Sequence, residues 1–138
     1  MTRSHEPLIR LARFKVEELQ KQLADIDRVR TSLNDQIGRL EASVPEEQAA
    51  ATDNKDGYIA YGSYAQAVIK RKQNIRASLD EVDQQAEGIR ERLEAAFREL
   101  KKYELLEERR VARIEDAVRT AEQAELDEIA QVRRRQAH

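Results

Sequence analysis

The sequence predicts an all-α protein: an antiparallel two-helix coiled-coil hairpin with a longer, overhanging C-terminal helix. Three observations lead there. Ala, Glu, Lys, Leu and Arg make up 54% of the 138 residues, the composition of long helices and coiled coils. Apolar residues recur in alternating steps of three and four along two long series, as in a coiled-coil seam. Only four glycines and two prolines are available for turns. The apolar content is thin, because Leu, Ile, Val and Phe total 22% of the chain. Chains below roughly 20% usually stay disordered, so spacing has to decide.

The first series is Ile9, Ala12, Val16, Leu19, Leu23, Ile26, Arg30, Leu33, Ile37, Leu40 and Val44, with Arg30 the one position that is not apolar. A stripe this narrow is a seam rather than the wider face of a globular helix. Pro7 suits a first helical position, where a missing N–H costs nothing. Pro45 can sit in the first turn of a restarted helix through Glu46, Glu47 and Gln48. Asp53-Asn54-Lys55-Asp56-Gly57 gathers the turn residues, with Gly57 free to take a positive φ. One domain, 1–138, is expected, with a helix over 8–51, a turn over 52–57 and a helix over 58–134.

The second series runs from Tyr61 through Ala65, Val68, Lys72, Ile75, Leu79, Val82, Ala86, Ile89, Leu93, Ala96 and Leu100 to Tyr103. Beyond it the phase slips, and Val111, Ile114, Val118, Glu122, Leu126, Ile129 and Arg133 carry the stripe. Eleven-residue steps, Leu100 to Val111 and Val118 to Ile129, untwist a left-handed supercoil. At 1.5 Å per residue the helices are roughly 65 and 115 Å long. Pairing outward from the turn uses up the first near residue 102. Tyr103, Leu106 and the stripe after them then have no partner in their own chain, and such a helix is marginal in water. It calls for a partner, a second copy or disorder.

Several functions fall away. Without cysteine there is no disulfide, thiolate metal site or cysteine nucleophile. No run approaches 18 apolar residues, and the N-terminus lacks the apolar core of a secretory signal. With 25 basic and 27 acidic residues the net charge is −2, against general attraction to nucleic acid. Scattered glycines give no phosphate loop, and His5 and His138 are terminal, so no cofactor and no metal site is expected. Pairs such as Glu17–Lys21 and Glu115–Arg119 are ordinary i,i+4 helix pairs. A two-helix chain has no pocket to exclude water, and the expectation is a protein that is not an enzyme.

Three features have both a structural and a functional reading. Tyr58, Tyr61 and Tyr64 either cap the hairpin end against residues 49–51 or form a partner-docking tip. Lys70, Arg71, Lys72 and Arg76 lie in an acid-free stretch; they are a solvated face opposite Glu41, Glu46 and Glu47, or meet an acidic partner. Arg133, Arg134 and Arg135 complement the helix macrodipole, or dock together with the unpaired stripe before them.

Gln123-Ala124-Glu125-Leu126-Asp127-Glu128-Ile129-Ala130, followed by basic residues, resembles the C-terminal signature of the flagellar export protein FliJ family. Phe97-Arg98-Glu99-Leu100-Lys101-Lys102-Tyr103-Glu104 is similar to the Lys-rich stretch upstream of it. Leu8 to Ile26, with Leu11, Glu17, Leu19 and Gln22-Leu23-Ala24, is similar to the family's opening helix. The resemblance implies a cytoplasmic component of the flagellar type III export apparatus, peripheral to the inner face of the cell membrane. It implies a coiled coil like the central stalk of rotary ATPases, engaging the export ATPase ring, the export gate protein and export chaperones. Flagellum biogenesis, protein transport and chemotaxis are the processes it implies.

On that basis Val111, Ile114, Val118, Leu126, Ile129, Arg133, Arg134 and Arg135 are the expected ring-docking residues, and Tyr58, Tyr61 and Tyr64 the expected tip contacts. The chain is expected to be a monomer or weakly self-associating, with no membrane insertion. The alternatives are a structural coiled coil that self-associates into a bundle, and a helical-hairpin chaperone.

Overall fold

The computed structural model describes residues 3–51 and 55–137. They form two helices, α1 (Glu6–Ala50) and α2 (Lys55–Gln136), and no strand is found among the described residues. This is the all-α class that the two seams predict.

The helix ends differ from the expected ones for local reasons. The Ile9 amide donates to the His5 carbonyl at 2.9 Å, so His5 caps α1 and Pro7 is its second helical residue. The amide that Pro7 lacks is among those with no acceptor inside the helix. The Ser4 hydroxyl accepts from the Glu6 amide at 3.2 Å. Pro45 restarts nothing, because α1 runs through it to Ala50.

The expected turn over 52–57 is corrected at its end. Lys55, Asp56 and Gly57 already belong to α2, and no described residue takes a positive φ. Asp56 in the first turn complements the positive helix N-terminus, which favours an early start. Residues 52–54, with Asp53 and Asn54, lie outside the described residues. At the far end Arg133, Arg134 and Arg135 occupy the last turn and extend α2 two residues past the expected 134.

Backbone contacts divide the chain into two compact units, Glu17–Glu94 and the pair Met1–Val16 with Ala95–His138. Within Glu17–Glu94 the helices run antiparallel: Arg30 meets Asp83, Glu41 meets Lys72, and Ser43 meets Tyr64. Val68, Ile75, Val82, Ala86 and Ile89 are buried. Leu19, Leu23, Ile26, Leu33, Ile37, Leu40 and Val44 are half-buried on α1, as are Tyr61, Ala65, Leu79 and Leu93 on α2.

The two cations in these seams each reach the opposite helix. Arg30 donates from Nε to Asp83 at 2.9 Å and from Nη1 to Asp27 at 2.9 Å. Lys72 meets Glu41 at 3.0 Å. A charge at a seam position is satisfied in one alignment only, so these pairs fix register more than they add stability.

In the other unit α1 contributes buried Ile9, Ala12 and Val16, and α2 contributes buried Ala96. Leu100, Tyr103 and Leu106 are half-buried beside them. Tyr103 and Leu106 therefore do have a partner in their own chain. The residues before Pro7 reach further along α2 than helix length alone predicts, and His5 contacts Glu107. Cover ends after Arg110, and every residue from 111 to 137 is exposed.

Candidate docking surface

The root of the exposed segment is fixed by a carboxylate that the sequence pattern does not reveal. Glu107 Oε2 accepts from the His5 amide at 2.7 Å and lies 3.0 Å from His5 Nδ1. Its Oε1 accepts from the Ser4 hydroxyl at 3.4 Å. One turn along, Arg110 Nε donates to both oxygens at 3.1 and 3.2 Å. Glu107 thus supplies, from α2, the acceptor that the α1 N-terminus needs. The i,i+3 spacing of Glu107 and Arg110 was visible in the sequence; the contact to residue 5 was not.

The Arg110 hydrogen bonds, and after them the one from the His5 amide, lower the Glu107 pKa from 4.5 to about 2. A carboxyl with a depressed pKa stabilises the folded form above its unfolded value, and the contribution is lost as pH falls through the folded one. Protection of the His5 amide against hydrogen exchange, taken relative to the intrinsic rate at the same pH, should therefore be high at neutral pH and fall as pH drops from about 4.5 towards 2. In Glu107→Ala the same amide should be unprotected at every pH. Equal protection in the two proteins would show that Glu107 is not the anchor.

Beyond Glu107 the apolar stripe has no cover. Val111, Ile114, Val118, Leu126 and Ile129 are between 40% and 61% exposed. Val132, which the heptad count passed over in favour of Arg133, is exposed in the same way. Ile9, Glu104, Glu107, Glu108, Val111, Ala112 and Glu115 line a shallow groove at the root. Ile114, Glu115, Val118 and Arg119 line the next one. Arg133, Arg134 and Arg135 are exposed and make no ion pair among the described residues. Arg119 pairs with Asp116 at 2.6 Å rather than with Glu115, and Lys21 with Glu18 rather than Glu17.

The tyrosines near the start of α2 separate into two kinds. Tyr64 hydrogen-bonds the Ser43 hydroxyl, and Ser43 also donates to the Leu40 carbonyl at 2.7 Å. Tyr61 is half-buried and lines a hollow with Glu47, Ala50, Ala51, Gly57 and Ala60. Tyr58 is 65% exposed, and its neighbour Ile59, absent from the expected set, is 64% exposed. Of the basic group, Lys72 is engaged by Glu41. Arg71 lines a groove with Gln36, Arg39, Leu40, Ser43 and Tyr64.

Among the described residues no group of three or more His, Asp or Glu is arranged to hold a metal ion. His5 is committed to Glu107, and His138 lies outside the described residues. No described helix is long and apolar enough to cross a membrane.

A family model described as flagellar FliJ protein matches residues 3–138. Flagellar FliJ proteins of Caulobacter vibrioides, from strains NA1000 / CB15N and ATCC 19089 / CIP 103742 / CB 15, are each 30% identical to this chain over 131 residues. Those residues cover 94% of this chain and 94% of each relative. No solved structure matches. The family match takes in both helices, the Glu107 anchor and the whole exposed segment, and the chain belongs to the flagellar FliJ protein family.

Proposed function

We propose that the chain serves the flagellar export apparatus as a non-enzymatic, stalk-like coupling component whose exposed C-terminal segment docks in the ring of the export ATPase. The observation that carries this reading is the uncovered stripe. Six large aliphatic side chains lie along α2 from Val111 to Val132, where a helix without tertiary cover is marginal in water. A ring lumen would supply that cover. Arg133, Arg134 and Arg135 would enter with the stripe. In this reading the protein works at the cytoplasmic side, peripheral to the membrane, and also meets the export gate protein and export chaperones.

The test is the double variant Val118→Asp, Leu126→Asp. Neither residue has a buried contact to lose, so thermal unfolding should stay within about 0.5 kcal/mol of the parent. Co-sedimentation with the export ATPase, and stimulation of its hydrolysis, should disappear. A variant that still stimulates the ATPase like the parent would sink the assignment.

Tyr58 and Ile59 offer a second contact for gate or chaperone, because they are the exposed apolar pair at the start of α2. Tyr58→Ser should weaken that contact without altering stability. Tyr64→Phe, by contrast, should cost about 1 kcal/mol through the lost Ser43 hydrogen bond. Equal stability of these two variants in urea titration would contradict the division.

A further inference from the structure

We infer that the surface covering the exposed segment of α2 is both apolar and cationic, and that a second copy of this chain is not its occupant. The inference rests on the docking reading above and names the chemistry of the partner.

Successive residues of an α-helix turn by about 100°, so positions within about 60° of one line share a face. On the line through Val111, that face holds Ile114, Val118, Leu126, Ile129 and Val132. It also holds Glu107, which His5 and Arg110 engage, and Glu104, Glu108, Glu115, Glu122 and Glu125. Its only cation is Arg133, near the end. Arg109, Arg113, Arg134 and Arg135 fall on the opposite side. Arg110 and Arg119, at the edges, are held by Glu107 and Asp116. None of the other five face carboxylates has an ion pair or a hydrogen bond from a side chain among the described residues.

Burying this stripe brings Glu115, Glu122 and Glu125, with Glu108 at its root, up to the partner's surface unneutralised. Like charges across such a contact repel, and opposite charges select the partner. A second copy fails in either orientation. Parallel pairing sets each glutamate against its twin. Antiparallel pairing that matches Val118 to Leu126 centres on Glu122 and opposes Glu122 to itself. The occupant that satisfies both the aliphatic residues and the carboxylates is an apolar surface flanked by lysine or arginine.

Two synthetic helical peptides with one leucine seam test this, one flanked by lysine and the other by glutamate. Fluorescence anisotropy with the full chain at low salt should show the lysine peptide binding about tenfold tighter, the sum of several weak exposed pairs. Raising the salt to about 1 M should remove the difference. Glu108→Lys, Glu115→Lys, Glu122→Lys in one chain should reverse the preference, and the corresponding Gln variant should abolish it. All three positions are exposed, and circular dichroism should match the parent. Equal binding of the two peptides, or a preference that survives the lysine variant, overturns the charge assignment. A concentration-dependent dimer in sedimentation equilibrium overturns the exclusion of a second copy. The ring reading is judged separately, by the Val118→Asp, Leu126→Asp co-sedimentation. A lost peptide preference with ring binding intact therefore sinks only this inference.

Discussion

Ala86→Glu should unfold the Glu17–Glu94 unit more readily than any other single change considered. Ala86 is fully buried, between Val82 and Ile89, one turn from where Arg30 crosses to Asp83. Alanine at a seam lets two helix backbones approach closely. A glutamate there must bury its carboxylate without a partner or push the helices apart. An uncompensated charge of this kind costs about 3 kcal/mol. For a unit of this size that is a fall in Tm of about 12–24 °C. Ala86→Leu separates bulk from charge, and overpacking alone should cost about 1–2 kcal/mol. Urea titrations of the three proteins check both values. An Ala86→Glu midpoint equal to the parent's would mean that the seam is loose at this level.

The largest expected gain comes from removing glycines. Gly38, Gly62 and Gly88 all lie inside helices, and a Cβ at any of them meets no atom within 4 Å. Glycine in a helix interior is less favourable than alanine by about 0.8–1 kcal/mol. The sites are far apart, so their effects should add. Gly38→Ala, Gly62→Ala, Gly88→Ala together should stabilise the protein by about 2–3 kcal/mol in denaturant titration. No packing in the structure requires these glycines. A triple variant no more stable than its parent would show that the helices at these sites are held by something other than local preference.

Seam positions were legible in the sequence because a period of three and four leaves little freedom. Each apolar seam position expected from Ile9 to Val44 and from Tyr61 to Tyr103 is buried or half-buried. Arg30 and Lys72, the two exceptions to the pattern, are the residues that cross between helices.

What periodicity does not encode is where pairing stops. That is set by Ser4 and His5 meeting Glu107, a contact between residues about a hundred positions apart with no shared motif. Helix starts were misread where turn-forming residues such as Gly57 also tolerate a helix. The Glu17–Lys21 and Glu115–Arg119 pairs are replaced by Glu18–Lys21 and Asp116–Arg119 because i,i+3 and i,i+4 partners compete on one surface, and side-chain reach decides between them. The exposed stripe is legible in the sequence, but Val132 is missed because a strict heptad count selects Arg133.

The exposed end of α2 also bears on time. From 65 to 103 the helix is held by its seam, and an amide there opens only when that packing opens. From 111 to 137 every residue is exposed, and the backbone depends on local terms such as the Arg119–Asp116 pair. Amide exchange along one continuous helix should therefore run at two rates, slow behind Arg110 and fast beyond it. A protease should cut first in the fast segment and halt near the Glu107 anchor. When a partner covers the stripe, the fast rate should fall towards the slow one. Exchange along α2 would then count how many turns are engaged.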